Sequence, residues 1–152
     1  MFRTMSLAGA ALVVAAALFA TACGDDDGGD ASASASVISA ITILDQAGLH
    51  DIDTAINQDG KVPDTARTTA LHMQAIVVLT KWPQAARPDA SKVAQALGDL
   101  AKALDSATPD LKAAGAAAHA AHESAHDLSH TVWAGLQKQA GIAAGANDNS
   151  GD

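Results

Sequence analysis

The sequence predicts an all-α protein, an antiparallel up-down four-helix bundle preceded by a signal peptide and a flexible tether. Two observations carry the bundle. Apolar residues recur at three- and four-residue spacing in four successive segments separated by short Pro-, Gly- and Asp-containing breaks, and no run of alternating β-branched residues bounded by turns is present. Composition points the same way. Apolar residues make up 49% of the chain, but aromatic residues only 3%, and tyrosine is absent. A core that is mostly alanine, leucine, isoleucine and valine suits closely approaching helices better than a sheet sandwich.

Val37, Ile41, Leu44, Gly48, Ile52 and Ile56 fall on one helical face, which predicts a first helix over 37–57, broken by Gln58-Asp59-Gly60. Pro63-Asp64 opens a second helix, with Leu71, Ala75, Val78 and Trp82 as its apolar face and Pro83 as its end. Pro88-Asp89 opens a third, whose stripe of Val93, Leu97, Leu100 and Leu104 is the cleanest in the chain. Thr108-Pro109-Asp110 opens the fourth, with threonine at the cap, proline in the first turn and an acid at the positive helix end. That helix continues to Gln139 along a line of Leu111, Ala118, Trp133 and Leu136. Short connections make consecutive helices antiparallel, and Trp82 and Trp133 are expected to fill the ends of the bundle. The bundle spans 37–140, and the small polar residues of 141–152 predict a disordered tail.

The first 36 residues have a different character. Arg3 precedes an apolar run from Leu7 to Ala20, too short to span a membrane comfortably but the length of a secretory signal core. The run ends in Ala20-Thr21-Ala22-Cys23, which contains the only cysteine of the chain. These residues resemble the lipobox of bacterial lipoproteins, with alanine where leucine is usual three residues before the cysteine. The resemblance covers residues 1–30 and implies cleavage after residue 22, acylation of the Cys23 thiol and anchoring of an exported protein to a membrane at the cell envelope. Ala20-x-Ala22 also suits ordinary signal peptidase, which would leave a secreted protein with a free thiol. A lone cysteine has no disulfide partner, and the Asp/Gly/Ala/Ser tract after it predicts a tether, residues 23–36, reaching about 20 Å as a coil. In a host with two membranes, Gly24 beside the cysteine resembles signals that permit transfer to the outer one.

A formal charge of −8 and scattered basic residues exclude a nucleic-acid-binding surface, which needs clustered positive charge. The chemistry lies in the histidines. His119, His122, His126 and His130 occupy an arc of roughly 80° on the fourth helix, and spacings of three and four residues let neighbouring imidazoles share one ion. The expected ligands are His122 and His126 first, then His119, His130 and His72, the last at the height of His119 and on the margin of its helix's apolar face. His50 is expected in solvent. Glu123, and Asp45 inside the apolar arc of the first helix, are expected to orient an imidazole from behind or to join as occasional ligands. Nitrogen donors favour zinc, copper or nickel, and covalent haem is excluded because no Cys-x-x-Cys-His is present.

His122-Glu123-Ser124-Ala125-His126 also reads as HExxH and resembles the zincin signature, in which two histidines hold zinc and the glutamate activates water. Zincins pack that helix under a sheet, and no strand is readable here. Glu123-x-x-His126 is likewise similar to the helix motif of ferritin-like di-iron proteins, but a second such motif is missing. Three functions follow as expectations: an envelope-tethered lipoprotein that sequesters, senses or delivers a transition metal; a structural lipoprotein that binds another envelope protein and has no metal site; and a small metal hydrolase.

Overall fold

Gly48 sets the geometry of the first half of the molecule. In the computed structural model, which describes residues 27–142, Gly48 has φ 68° and ψ 28°, the left-handed region in which a Cβ crowds the following carbonyl. One helix ends there and another begins: α1 (Asp27–Asp45) and α2 (Leu49–Asn57) replace the single helix that periodicity predicts over 37–57. A second difference lies at the start of α1, which reaches back to Asp27, into the stretch expected to be a flexible tether. Residues 31–36 alternate serine with alanine, the strongest helix former, and no proline interrupts them. The predicted signal peptide 1–22, Cys23 and the end of the tail, 143–152, lie outside the described residues.

The remaining helices are α3 (Ala66–Leu79), α4 (Arg87–Ala103) and α5 (Leu111–Gln139), with a short 3-10 turn at Gln84–Ala86. Pro88 sits in the first turn of α4. The cap of α5 is Asp110 rather than Thr108: its Oδ1 accepts from the backbone N–H of Lys112 and Ala113 at 2.9 and 3.3 Å. Among the described residues there is no strand, and no helix is long and apolar enough to cross a membrane.

The helices pack around one apolar core. The longest, α5, rises about 43 Å at 1.5 Å per residue and contacts α4, α2 and α1; α3 packs on α4 and touches α1. Val93, Leu97, Leu100 and Leu104 are buried, as their stripe predicts. The packed faces of α3 and α5 are rotated from the expected ones. α3 buries Ala66, Ala70, Met73 and Val77 and leaves Leu71 and Val78 exposed. α5 buries Ala114, Gly115, Ala118, Ala121, Ala125, Leu128 and Val132, leaving Leu111 and Trp133 partly exposed at its margin. The cause is the same in both: helices approach closest where side chains are small, and the bulkiest residues then fall at the margin. Trp82 does fill a core position and donates its indole N–H to Val77 O at 2.7 Å; Trp133 does not.

Gly48→Ala places a side chain where its Cβ meets only Asp51 Oδ2, at 3.7 Å. The penalty is therefore one of backbone conformation, about 1–2 kcal/mol. Denaturant unfolding is expected to read that loss, and a smaller one for Gly48→Asn.

Candidate metal centre

Because α1 stops at Asp45, α2 is free to take its own rotation. Its apolar residues Leu49, Ile52 and Ile56 are buried, which turns the neighbouring Asp53 towards α5. The Asp53 side chain is only 14% exposed. Asn57, one turn on, fixes it: Asn57 Nδ2 donates to Asp53 Oδ1 at 2.5 Å and to the backbone carbonyl of Gly115 on α5 at 3.0 Å. Position 115 has to be glycine for this contact, since a Cβ built there would collide with Asn57 Oδ1.

Four and seven residues after Gly115, two histidines close the arrangement. Nδ1 of His119 and Nδ1 of His122 each lie 3.2 Å from the same atom, Asp53 Oδ2. Asp53, His119 and His122 form a group whose ligand atoms all lie within 4.8 Å of one another. Burial pushes the Asp53 carboxyl up, but hydrogen bonds with His119, Asn57 and His122 together outweigh it and hold the group below the ordinary 3.8. Asp53 is therefore an anion under neutral conditions. With it ionised, both hydrogen bonds require the proton on Nδ1 of each ring.

The 3.2 Å separations suit hydrogen bonds. They also match the edge of a tetrahedral site, since donors about 2.0–2.1 Å from a zinc ion stand about 3.3 Å apart. An ion bound by Oδ2 and the two Nδ1 atoms would take the place of the two Nδ1 protons. The groove around the group, between α2 and α5, has a volume of about 500 Å³ and is also lined by His50, Lys112 and Glu123.

Of the residues expected as ligands from the sequence, the structure brings together His119 and His122. His126 and His130 lie further along α5, stacked on each other with ring centroids 4.5 Å apart. His72 is exposed on α3 and does not point inward as its helical position predicts, because the packed face of α3 is rotated away from it. Asp45 is not an inward carboxylate either. It is exposed at the end of α1, where Ser129 Oγ and Trp133 Nε1 donate to its Oδ2 at 3.2 and 3.4 Å. Glu123 is exposed, its Oε1 3.8 Å from His122 Nδ1. His50 is exposed as expected, yet its ring meets that of His122 edge-on at 4.9 Å.

Sequence reasoning misses Asp53. Its signal is present in hindsight: His50-x-x-Asp53 on one helix faces His119-x-x-His122 on another. The HExxH pair does not converge, because His122 turns to Asp53 while His126 turns to His130. Comparison with known proteins finds no family model, no curated protein and no solved structure that matches this chain.

Two outcomes follow. Gly115→Ala overpacks the α2–α5 contact and is expected to lower stability by about 1–3 kcal/mol, measured by thermal or denaturant unfolding. The Asp53 carboxyl is lowered on folding, so its ionisation stabilises the native state fully above the ordinary value of 3.8, and the contribution fades as the pH falls through the folded value. The stability difference between the parent and Asp53→Asn is thus expected at pH 7 and should shrink steadily in unfolding curves taken below pH 3.8.

Proposed function

We propose that this protein is an envelope lipoprotein, anchored through Cys23, whose helical bundle binds a divalent transition ion for sequestration, sensing or delivery. One observation carries the metal reading: two imidazoles from α5 and a carboxylate from α2 converge on a single point, His119 and His122 Nδ1 each 3.2 Å from Asp53 Oδ2. Two nitrogens and one oxygen suit zinc, copper or nickel. We assign the fourth position to His50, which lines the same groove and meets the His122 ring edge-on. With His50 as a fourth ligand beside the three donors of the group, the ion would keep no open position for chemistry, and this favours storage or transfer over hydrolysis. The packing of α5 on α4, α4 on α3 and α3 on α1 supports an up-down antiparallel four-helix bundle, with α1 and α2 together as its first member. The lipid anchor rests on the lipobox-like residues 20–23 and the lone cysteine.

A second reading, a lipoprotein that docks another envelope protein without metal, draws on the exposed apolar residues of α3, Val78 and Leu79 at 66% and 81%. The two readings part on metal titration. The full-length Cys23→Ser chain in detergent, stripped of metal and titrated with zinc at pH 7.5, is expected to bind at micromolar concentration or tighter. His119→Ala with His122→Ala should abolish this event, and His50→Ala should weaken it about tenfold or more, the scale on which supporting residues act at metal sites. Protons compete for the imidazoles, so binding should weaken markedly at pH 5.5. No heat of binding, with an unchanged melting temperature in excess zinc, would leave the docking reading. Metabolic labelling with palmitate, incorporated by the parent and not by Cys23→Ser, tests the anchor.

A further inference from the structure

The histidines of α5 divide into two groups, and the second has no role in the site built around Asp53. His126 and His130 are both exposed, one helical turn apart on the same face. Their rings stand 4.5 Å apart between centroids at an interplanar angle of 70°. Neither takes a carboxylate partner among the described hydrogen bonds and ion pairs. Glu123 and Asp127, within a turn of the pair on α5, are exposed, and Asp45 at the end of α1 is engaged by Ser129 and Trp133.

We infer that His126 and His130 form a second transition-metal site, separate from the first and built from two imidazoles alone. The spacing is already that of a chelate. With metal–nitrogen bonds of about 2.0–2.1 Å, two imidazoles held side by side on one ion have their ring centres about 4.5–5 Å apart. The pair therefore reaches a shared ion by rotation about side-chain bonds, with no change in the helix. An α-helix holds the second ring close once the first has bound, which raises its effective concentration and makes the pair bind far more tightly than either ring alone. Two neutral nitrogen donors with solvent in the remaining positions suit Cu²⁺ best, because copper heads the affinity order for such ligands. The surrounding charge helps, since the chain carries a formal −8 and draws cations to its surface. The ion would clamp one turn of α5, beside the Ser129 contact that ties this helix to the end of α1.

The test is a copper titration of the full-length Cys23→Ser chain in detergent at pH 7.5, with circular dichroism to confirm that each variant keeps its helices. Two equivalents of Cu²⁺ are expected in the parent, and one in His126→Ala/His130→Ala. His130→Ala alone should lose about a hundredfold in affinity at this site, the chelate advantage gone, whereas His72→Ala should leave both equivalents in place. Retention of the parent's stoichiometry and affinities by His126→Ala/His130→Ala overturns the inference. The site around Asp53 stands or falls separately. If His119→Ala/His122→Ala leaves the stoichiometry unchanged while His126→Ala/His130→Ala lowers it by one, the two-imidazole site holds and the three-donor site does not.

Discussion

Helices approach one another only as closely as the side chains between them allow, and from residue 114 to residue 125 the packed face of α5 carries only alanine and glycine. Ala114, Ala118, Ala121 and Ala125 are buried there beside Gly115. This close approach is the constraint on which the site depends. It lets Asn57 reach the backbone of Gly115; Asn57 in turn holds one oxygen of Asp53; and the other oxygen is left to face His119 and His122. A bulkier face on α5 would keep α2 at a distance and leave the two histidines on an ordinary solvated helix, with no carboxylate to meet.

The same smallness explains which parts of the fold were legible in the sequence. The starts of α4 and α5 are written in proline and aspartate, whose effects on a helix end are local. The stripe from Val93 to Leu104 is equally plain, because large apolar residues on one face have only one place to go. The packed faces of α3 and α5 are less plain. Periodicity weighted by large side chains points to Leu71 and Val78, or to Leu111 and Trp133, whereas the structure packs α3 through Ala66 and Ala70 and α5 through Ala114 to Ala125 beside a few larger residues, and turns those four outward. An alanine contributes little to a pattern and a great deal to proximity.

The carboxylate of the site was hidden for a different reason. Along an unbroken helix from 37 to 57, Asp45 shares the apolar arc and Asp53 has no special claim. Gly48 breaks that helix through its left-handed backbone, and everything after it takes a new rotation. Asp45 then finishes α1 in solvent while Asp53 faces α5. Glycine in a helical pattern can be tolerated or can end the helix, and only the tertiary packing decides between them. The histidine face, by contrast, was readable from spacing alone. Its division into a pair near Asp53 and a pair further along was not, since the division depends on what α2 presents.

The shortness of α2 has a consequence for how the molecule moves. A helix of nine residues is far below the length at which helices persist in water without tertiary support. It therefore exists only while docked, and segments of this kind open on their own, well below the free energy of global unfolding. The carboxylate of the site, one donor of three, thus rides on a detachable clasp. When α2 lifts, Asp53 leaves together with the helix that carries it, and His119 and His122 remain side by side on α5 without their carboxylate. Release of whatever they hold would then be governed by the opening rate of one short segment, while the rest of the bundle stays folded.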